Sequence, residues 1–191
     1  KGQYNTAVGY LALFTEDVGN ESTAIGSFSL YAQNSDSDNE ATGNTAVGKG
    51  TGYYNVTGQN NTYMGKNAGF GVSTKSHSNC VFIGSNAGLT AYTGNNNIAI
   101  GYGAMDDTDA DATVGASDEN VFIGTNSGGG TWETSATARN VCVGNATMTG
   151  NLDAANYNAA LGFEALRDTT SGKFNTSTGY WYELENMTKA K

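Results

Sequence analysis

Few side chains in this 191-residue chain are of catalytic type, and their spacing narrows the field further. His77 is the only histidine, flanked by Ser76 and Ser78 in a polar interval. A serine nucleophile needs a strained turn, an oxyanion hole and an oriented base. No such pattern surrounds His77, so a solvated loop histidine is expected. Two acidic insertions stand out, Asp36-Ser-Asp38-Asn-Glu40 and Asp106-Asp107-Thr-Asp109-Ala-Asp111. The alternate carboxylates Asp107, Asp109 and Asp111 form the candidate metal site, because calcium takes about six to eight oxygen ligands. Neither insertion has the later Gly and bidentate Glu of the helix-loop-helix calcium site. A solvated acidic loop is therefore the preferred reading, with no cofactor required. Glycoside hydrolysis needs two facing carboxylates, and no spacing marks such a pair. One His with the distant Cys80 and Cys142 leaves the usual zinc sets unavailable within one chain. The expectation is a protein that is not an enzyme.

Aromatic residues are the remaining candidates for recognition. Tyr53, Tyr54, Tyr92, Trp132 and Tyr180-Trp181-Tyr182 fall in turns or near the end of the chain. Flat rings suit stacking on sugars and anchor interfaces. Tyr53, Tyr54, Trp132 and Trp181 are taken as candidate receptor contacts.

These residues hang on a repeat. Asn5-Thr-Ala-Val-Gly9 returns as Asn44-Thr-Ala-Val-Gly48. Anchored on its terminal Gly, the unit recurs at Gly9, Gly26, Gly48, Gly65, Gly84, Gly101, Gly124, Gly144, Gly162 and Gly179, at intervals of 17 to 23 residues. Four residues before the anchor stands Asn in eight copies: Asn5, Asn44, Asn61, Asn97, Asn120, Asn140, Asn158 and Asn175. Ser22 and Cys80 are the exceptions. Three residues after it comes a small residue such as Ala12, Ser29 or Ala68. Short β-rich runs bounded by Gly and Asn read as strands. A unit this small cannot bury its own apolar face, so neighbours must stack around a shared core. The expected fold is all-β, a parallel β-solenoid of about ten coils over residues 1–182, with 183–191 as a tail or the start of a helical stalk. Gly at the anchors permits positive φ and close backbone approach. Stacked Asn side chains can bond one another in a ladder. Both rows are assigned a structural role in the turns. Asn156 to Asp168 alone has helical spacing, but Asn158 and Gly162 hold it in the repeat.

Both faces of each strand are apolar. The residue before the anchor is Val8, Ile25, Val47, Met64, Ile83, Ile100, Ile123, Val143 or Leu161 in nine copies, and it is expected to line the interior. The residue before that, such as Ala24, Tyr63, Phe82 or Cys142, then lies on the opposite face. A strand apolar on both faces is normally covered on both. An identical chain is the simplest cover.

Composition excludes other classes. Gly, Asn and Thr dominate, Pro is absent and the net charge is −9. Gly costs roughly 1 kcal/mol per helix position, which disfavours a helical bundle. No apolar run approaches the roughly 20 residues of a membrane-spanning helix. The acidic balance argues against nucleic acid or an anionic membrane as partners. The chain begins at Lys1 in mid-pattern and reads as a piece of a longer protein.

Over Asn5 to Leu13 and Asn44 to Gly48, the Asn-Thr-Ala-Val-Gly motif resembles two related groups. One is the head repeat of trimeric autotransporter adhesins. The other, closer in spelling, is the repeat of phage tail fibres. The resemblance covers roughly residues 3–182. It implies a trimeric, left-handed parallel β-roll used in attachment, with two identical chains and a host cell-surface glycan or protein as partners. It places the chain in a virion tail fibre or, alternatively, on a bacterial cell surface. Adhesin heads have shorter, more uniform repeats than these. Less favoured are an ice-binding solenoid and a polysaccharide-cleaving fibre. Against ice binding, the Thr three residues before the anchor at Thr6, Thr23, Thr45 and Thr62 gives way to Val81, Ile98, Val121 and Val141, and the repeat length varies.

Overall fold

The computed structural model describes residues 2–37, 40–73, 75–90, 94–107, 117–132 and 135–180. Ten three-residue strands follow one another: β1 (Thr6–Val8), β2 (Thr23–Ile25), β3 (Thr45–Val47), β4 (Thr62–Met64), β5 (Val81–Ile83), β6 (Ile98–Ile100), β7 (Val121–Ile123), β8 (Val141–Val143), β9 (Ala159–Leu161) and β10 (Thr176–Thr178). They form one parallel sheet in sequence order, each strand pairing with the next in the register of the repeat. The fold is a β-solenoid of about nine turns, with no helix among the described residues.

The backbone between strands is also a ladder. Phe28 donates back to the Tyr10 carbonyl of the preceding coil, whereas Leu30 donates forward to Thr51 of the following one. Alternation of this kind requires single residues to enter the left-handed region, which reverses the direction of the N–H. The residue five before the anchor does so in all ten coils, with φ between 57° and 65°. Tyr4, Glu21, Arg139 and Phe174 accept this conformation although it costs L-residues about 1–2 kcal/mol. The inter-coil hydrogen bonds offset that cost, as where Asn60 donates to Thr42 at 2.8 Å. The anchor glycines are more demanding. Their φ lies between 121° and 146° in every coil, a region open only to Gly. They also stack on one another: a Cβ on Gly48 would stand 2.7 Å from the Gly65 carbonyl oxygen.

The core reverses one expectation. The middle strand residue, two before the anchor, points inward. Ala24, Ala46, Tyr63, Phe82, Ala99, Phe122, Cys142 and Ala160 are all buried. The aliphatic residue before the anchor faces out instead, with Val8, Met64 and Leu161 48–57% exposed. The interior side is set by the turn, which brings the fourth residue after the anchor beneath the middle of the strand. Volume is balanced between these two positions. Small Ala24, Ala99, Cys142 and Ala160 share their coils with buried Leu30, Met105, Met148 and Leu166. Large Tyr63, Phe82 and Phe122 share theirs with Gly69, Gly88 and Gly128, where an added Cβ would strike the ring. In the third coil both positions are small, Ala46 and Gly52, and Leu30 and Tyr63 of the adjoining coils fill the space, so dense packing follows from exchange of bulk within and between coils.

The small residue three after the anchor is buried beside this core, as Ser29, Thr51, Ala68, Ala87, Ala104, Ser127, Thr147 and Ala165. Its hydroxyls are paired where present: Ser29 with Thr51 at 2.8 Å, and Ser127 with Thr147.

Candidate functional site

Register decides where the aromatic side chains meet. Phe14, Tyr31, Tyr53 and Phe70 all stand five residues after an anchor, in the first four coils. Coils stacked at the inter-strand distance of about 4.8 Å must bring such rings face to face. The centroids lie 5.5, 4.8 and 4.9 Å apart along the stack, with interplanar angles of 3°, 18° and 18°. Tyr53 therefore has a ring on each of its faces. Tyr54 crosses the stack, 4.6 Å and 73° from Tyr53 and 5.3 Å and 90° from Phe70. The stack ends at coil five, where the equivalent residue is Leu89. Burial first, and then the neighbouring phenols of Tyr31 and Tyr54, push the Tyr53 hydroxyl above its ordinary pKa.

An open cleft of about 390 Å³ lies along this wall, lined by Phe28, Lys49, Tyr53, Tyr54, Lys66 and Phe70 among others. Lys49 and Lys66 each directly follow an anchor glycine, so they occupy the same position on adjacent coils. Sequence reading singles out Tyr53 and Tyr54 and passes over Phe14, Tyr31, Phe70 and the two lysines. Their signal was present. It emerges when the repeat is aligned and read down the first and fifth positions after each anchor.

The other predicted site residues scatter. Trp132, expected in a surface turn, is core: it is 2% exposed, donates from Nε1 to the Gly128 carbonyl at 2.9 Å and packs at 61° against Phe122. Trp181, Tyr182 and Tyr92 lie outside the described residues, as do Asp38, Asp109 and Asp111. Tyr180 is exposed and stacks on Phe163 at 5.3 Å. Of the candidate metal ligands only Asp107 is described, and its Oδ2 accepts a hydrogen bond from Thr131 at 3.0 Å. Among the described residues no three His, Cys, Asp or Glu side chains gather closely enough to hold a metal.

His77 corrects the expectation of a solvated loop residue. It is 1% exposed, with Nε2 2.7 Å from the Tyr63 hydroxyl and its ring against Phe82. Its Nδ1 is buried with no partner among the described residues. Burial holds its pKa down at about 4, so the ring is neutral near pH 7. The thiols of Cys80 and Cys142 are buried and free, and burial pushes each up to about 12. Thiols so raised are poor nucleophiles. The carboxylate of Glu16 sits among donors. Burial raises it, but hydrogen bonds from Gly19, Gln33, Ser35 and Val18 outweigh that and leave it below the ordinary carboxylate range.

The Asn row is a continuous structure from coil six to coil ten. Asn120 Nδ2 donates to Asn97 Oδ1 at 3.2 Å, Asn140 to Asn120 at 3.1 Å, and Asn158 to Asn140 at 3.0 Å. From Asn97 to Asn158 each Oδ1 also accepts a backbone N–H from the next coil, as Asn120 does from Asn140 at 3.1 Å. The Nδ2 of Asn120, Asn140 and Asn158 each reaches a second acceptor, such as the Thr137 carbonyl at 2.9 Å from Asn120. Asn44 and Asn61 repeat the pattern, Asn61 Nδ2 donating to Asn44 Oδ1 at 3.0 Å, and Asn5 Oδ1 accepts from the Ser22 N–H at 2.8 Å. An amide meets this demand because it donates and accepts at once. No protein-family model, curated protein or solved structure matches the chain.

Proposed function

We propose that the chain is a structural and adhesive segment of a trimeric surface fibre, of the phage tail-fibre kind, wound left-handed as its repeat resemblance implies. One observation carries this reading, the outward face of the sheet. The residue before the anchor forms an exposed or half-exposed aliphatic column through nine coils, from Val8 to Leu161. In β5 to β8 the other outward position is aliphatic too, as Val81, Ile98, Val121 and Val141. Apolar strips of this extent on a solenoid mark contact surfaces. Two further copies about a common axis cover the face on every chain with one repeated contact. The adhesive part rests on the aromatic wall of coils one to four, which projects from the rod at its turns.

Light scattering behind a sizing column tests it. The reading requires a mass three times the 19.8 kDa of the chain. Substituting Ile100→Glu and Ile123→Glu should return a folded monomer. A clean monomer of the unsubstituted chain overturns the reading.

A further inference from the structure

We propose that the cleft on coils three and four binds an acidic saccharide, with the acidic group seated between Lys49 and Lys66. This rests on the surface-fibre reading for its biological setting and names the receptor chemistry within it.

The lysines come first. Their shared position after the anchor, with Val47 paired to Met64 immediately before it, places both stems on the same side of neighbouring coils. Both lie in the turns just beyond β3 and β4 and line one cleft, where two like charges repel. The chain has 18 acidic residues against nine Lys and Arg, yet among the described residues no ion pair joins a carboxylate to Lys49 or Lys66. The ion pairs among the described residues join Arg139 to Glu119 and Arg167 to Glu164 and Asp168. A repulsive pair left open on an acidic protein is suited to an anion from outside.

The ring wall has the same preference. Both faces of Tyr53 are covered by Tyr31 and Phe70, so what it presents to the cleft is its edge. Ring edges are the positive pole of the aromatic quadrupole and attract negative charge. Tyr54 completes the arrangement. At 4.6 Å and 73° from a ring whose faces are taken, it meets that ring's edge with its own face. Tyr54 also meets Phe70 at 5.3 Å and 90°, and it lines the cleft, where its ring can pack on the apolar side of a sugar. The Tyr53 and Tyr54 hydroxyls add donors and acceptors for sugar hydroxyls. A volume of about 390 Å³ exceeds the needs of a small inorganic anion and falls in the range of small-molecule sites. The net charge of −9 disfavours a long, densely charged polyanion and leaves a saccharide with spaced acidic groups.

The test is calorimetric titration of the intact chain with trigalacturonate, a sialic-acid trimer and a chondroitin sulfate tetrasaccharide, beside neutral maltotriose and inorganic sulfate. At least one acidic saccharide should bind, maltotriose should not, and sulfate should bind more weakly. Lys49→Gln with Lys66→Gln should weaken the acidic saccharide on the order of tenfold, the scale of lost charge-assisted hydrogen bonds. Tyr54→Ala should weaken it while leaving sulfate unchanged. Failure of all three acidic probes, equal binding of maltotriose, or indifference to the lysine substitutions would overturn the inference. Sulfate binding as tightly as the saccharides would overturn it too. The mass of the same sample separates the two readings. A trimer without saccharide binding removes only the cleft, whereas a binding monomer keeps the cleft and removes the fibre.

Discussion

A Cβ placed on Gly128 would stand 2.7 Å from Cδ1 of Phe122, six residues earlier in the same coil. The backbone is not what demands glycine there. Leu30, Met105 and Met148 occupy the same position in other coils at φ of 48°, 50° and 45°, close to the 65° of Gly128. The ring demands it. Where the strand contributes a large residue the turn must contribute none, and the reverse holds beside Ala99 and Cys142.

This exchange predicts a rescue. Gly128→Ala should destabilise by about 1–3 kcal/mol, the usual cost of overpacking. Phe122→Ala should cost about 3–5 kcal/mol through the cavity it leaves. The double variant Phe122→Ala with Gly128→Met copies the pairing of Ala99 with Met105 and should be more stable than Phe122→Ala alone. Denaturant midpoints decide it, and a double variant no better than the single one would show that the two positions are not coupled.

The hidden His77 predicts a pH dependence. Its pKa is about 4 when folded, against about 6.5 for a free histidine. The stability it protects is complete above about pH 6.5 and is lost as pH falls toward 4, because the unfolded chain takes up the proton first. Between pH 7 and pH 5 the loss should reach about 2 kcal/mol. His77→Gln should flatten that interval, whatever its effect at pH 7. Unfolding curves of both chains at the two pH values measure the difference, and equal slopes would refute the assignment.

The Asn ladder predicts an order among substitutions. Asn120→Ala removes the acceptor for the Asn140 N–H and the donor to the Thr137 carbonyl, at a cost of roughly 3 kcal/mol. Asn120→Asp retains an acceptor but turns a carboxylate toward Asn97 Oδ1 and the Thr137 carbonyl. At pH 7 it should be at least as damaging as Ala. Thermal unfolding ranks them, and an Asp variant as stable as the parent would contradict a ladder that needs both functions of the amide.

Spacing in the sequence determined the strands, their parallel order and their register. A glycine that must hold φ above 120° beneath another glycine leaves a mark that no other residue can imitate, and the Asn four residues earlier confirms the phase in eight of the ten coils. Spacing could not say which strand face lies inside. Alternation gives two apolar faces, one bearing Ala24 and Phe82, the other Ile25 and Ile83, and composition favours neither. The turn after the anchor settled the question by carrying Leu30 and Gly88 under the first of them. His77 and Trp132 illustrate the same limit. Both sit in polar stretches that read as surface, and both became core because the coil closed with room for one more ring beside Phe82 and Phe122. Burial of that kind belongs to the stacked solenoid, where a side chain's surroundings come from coils 16 to 23 residues away along the chain rather than from its own neighbours.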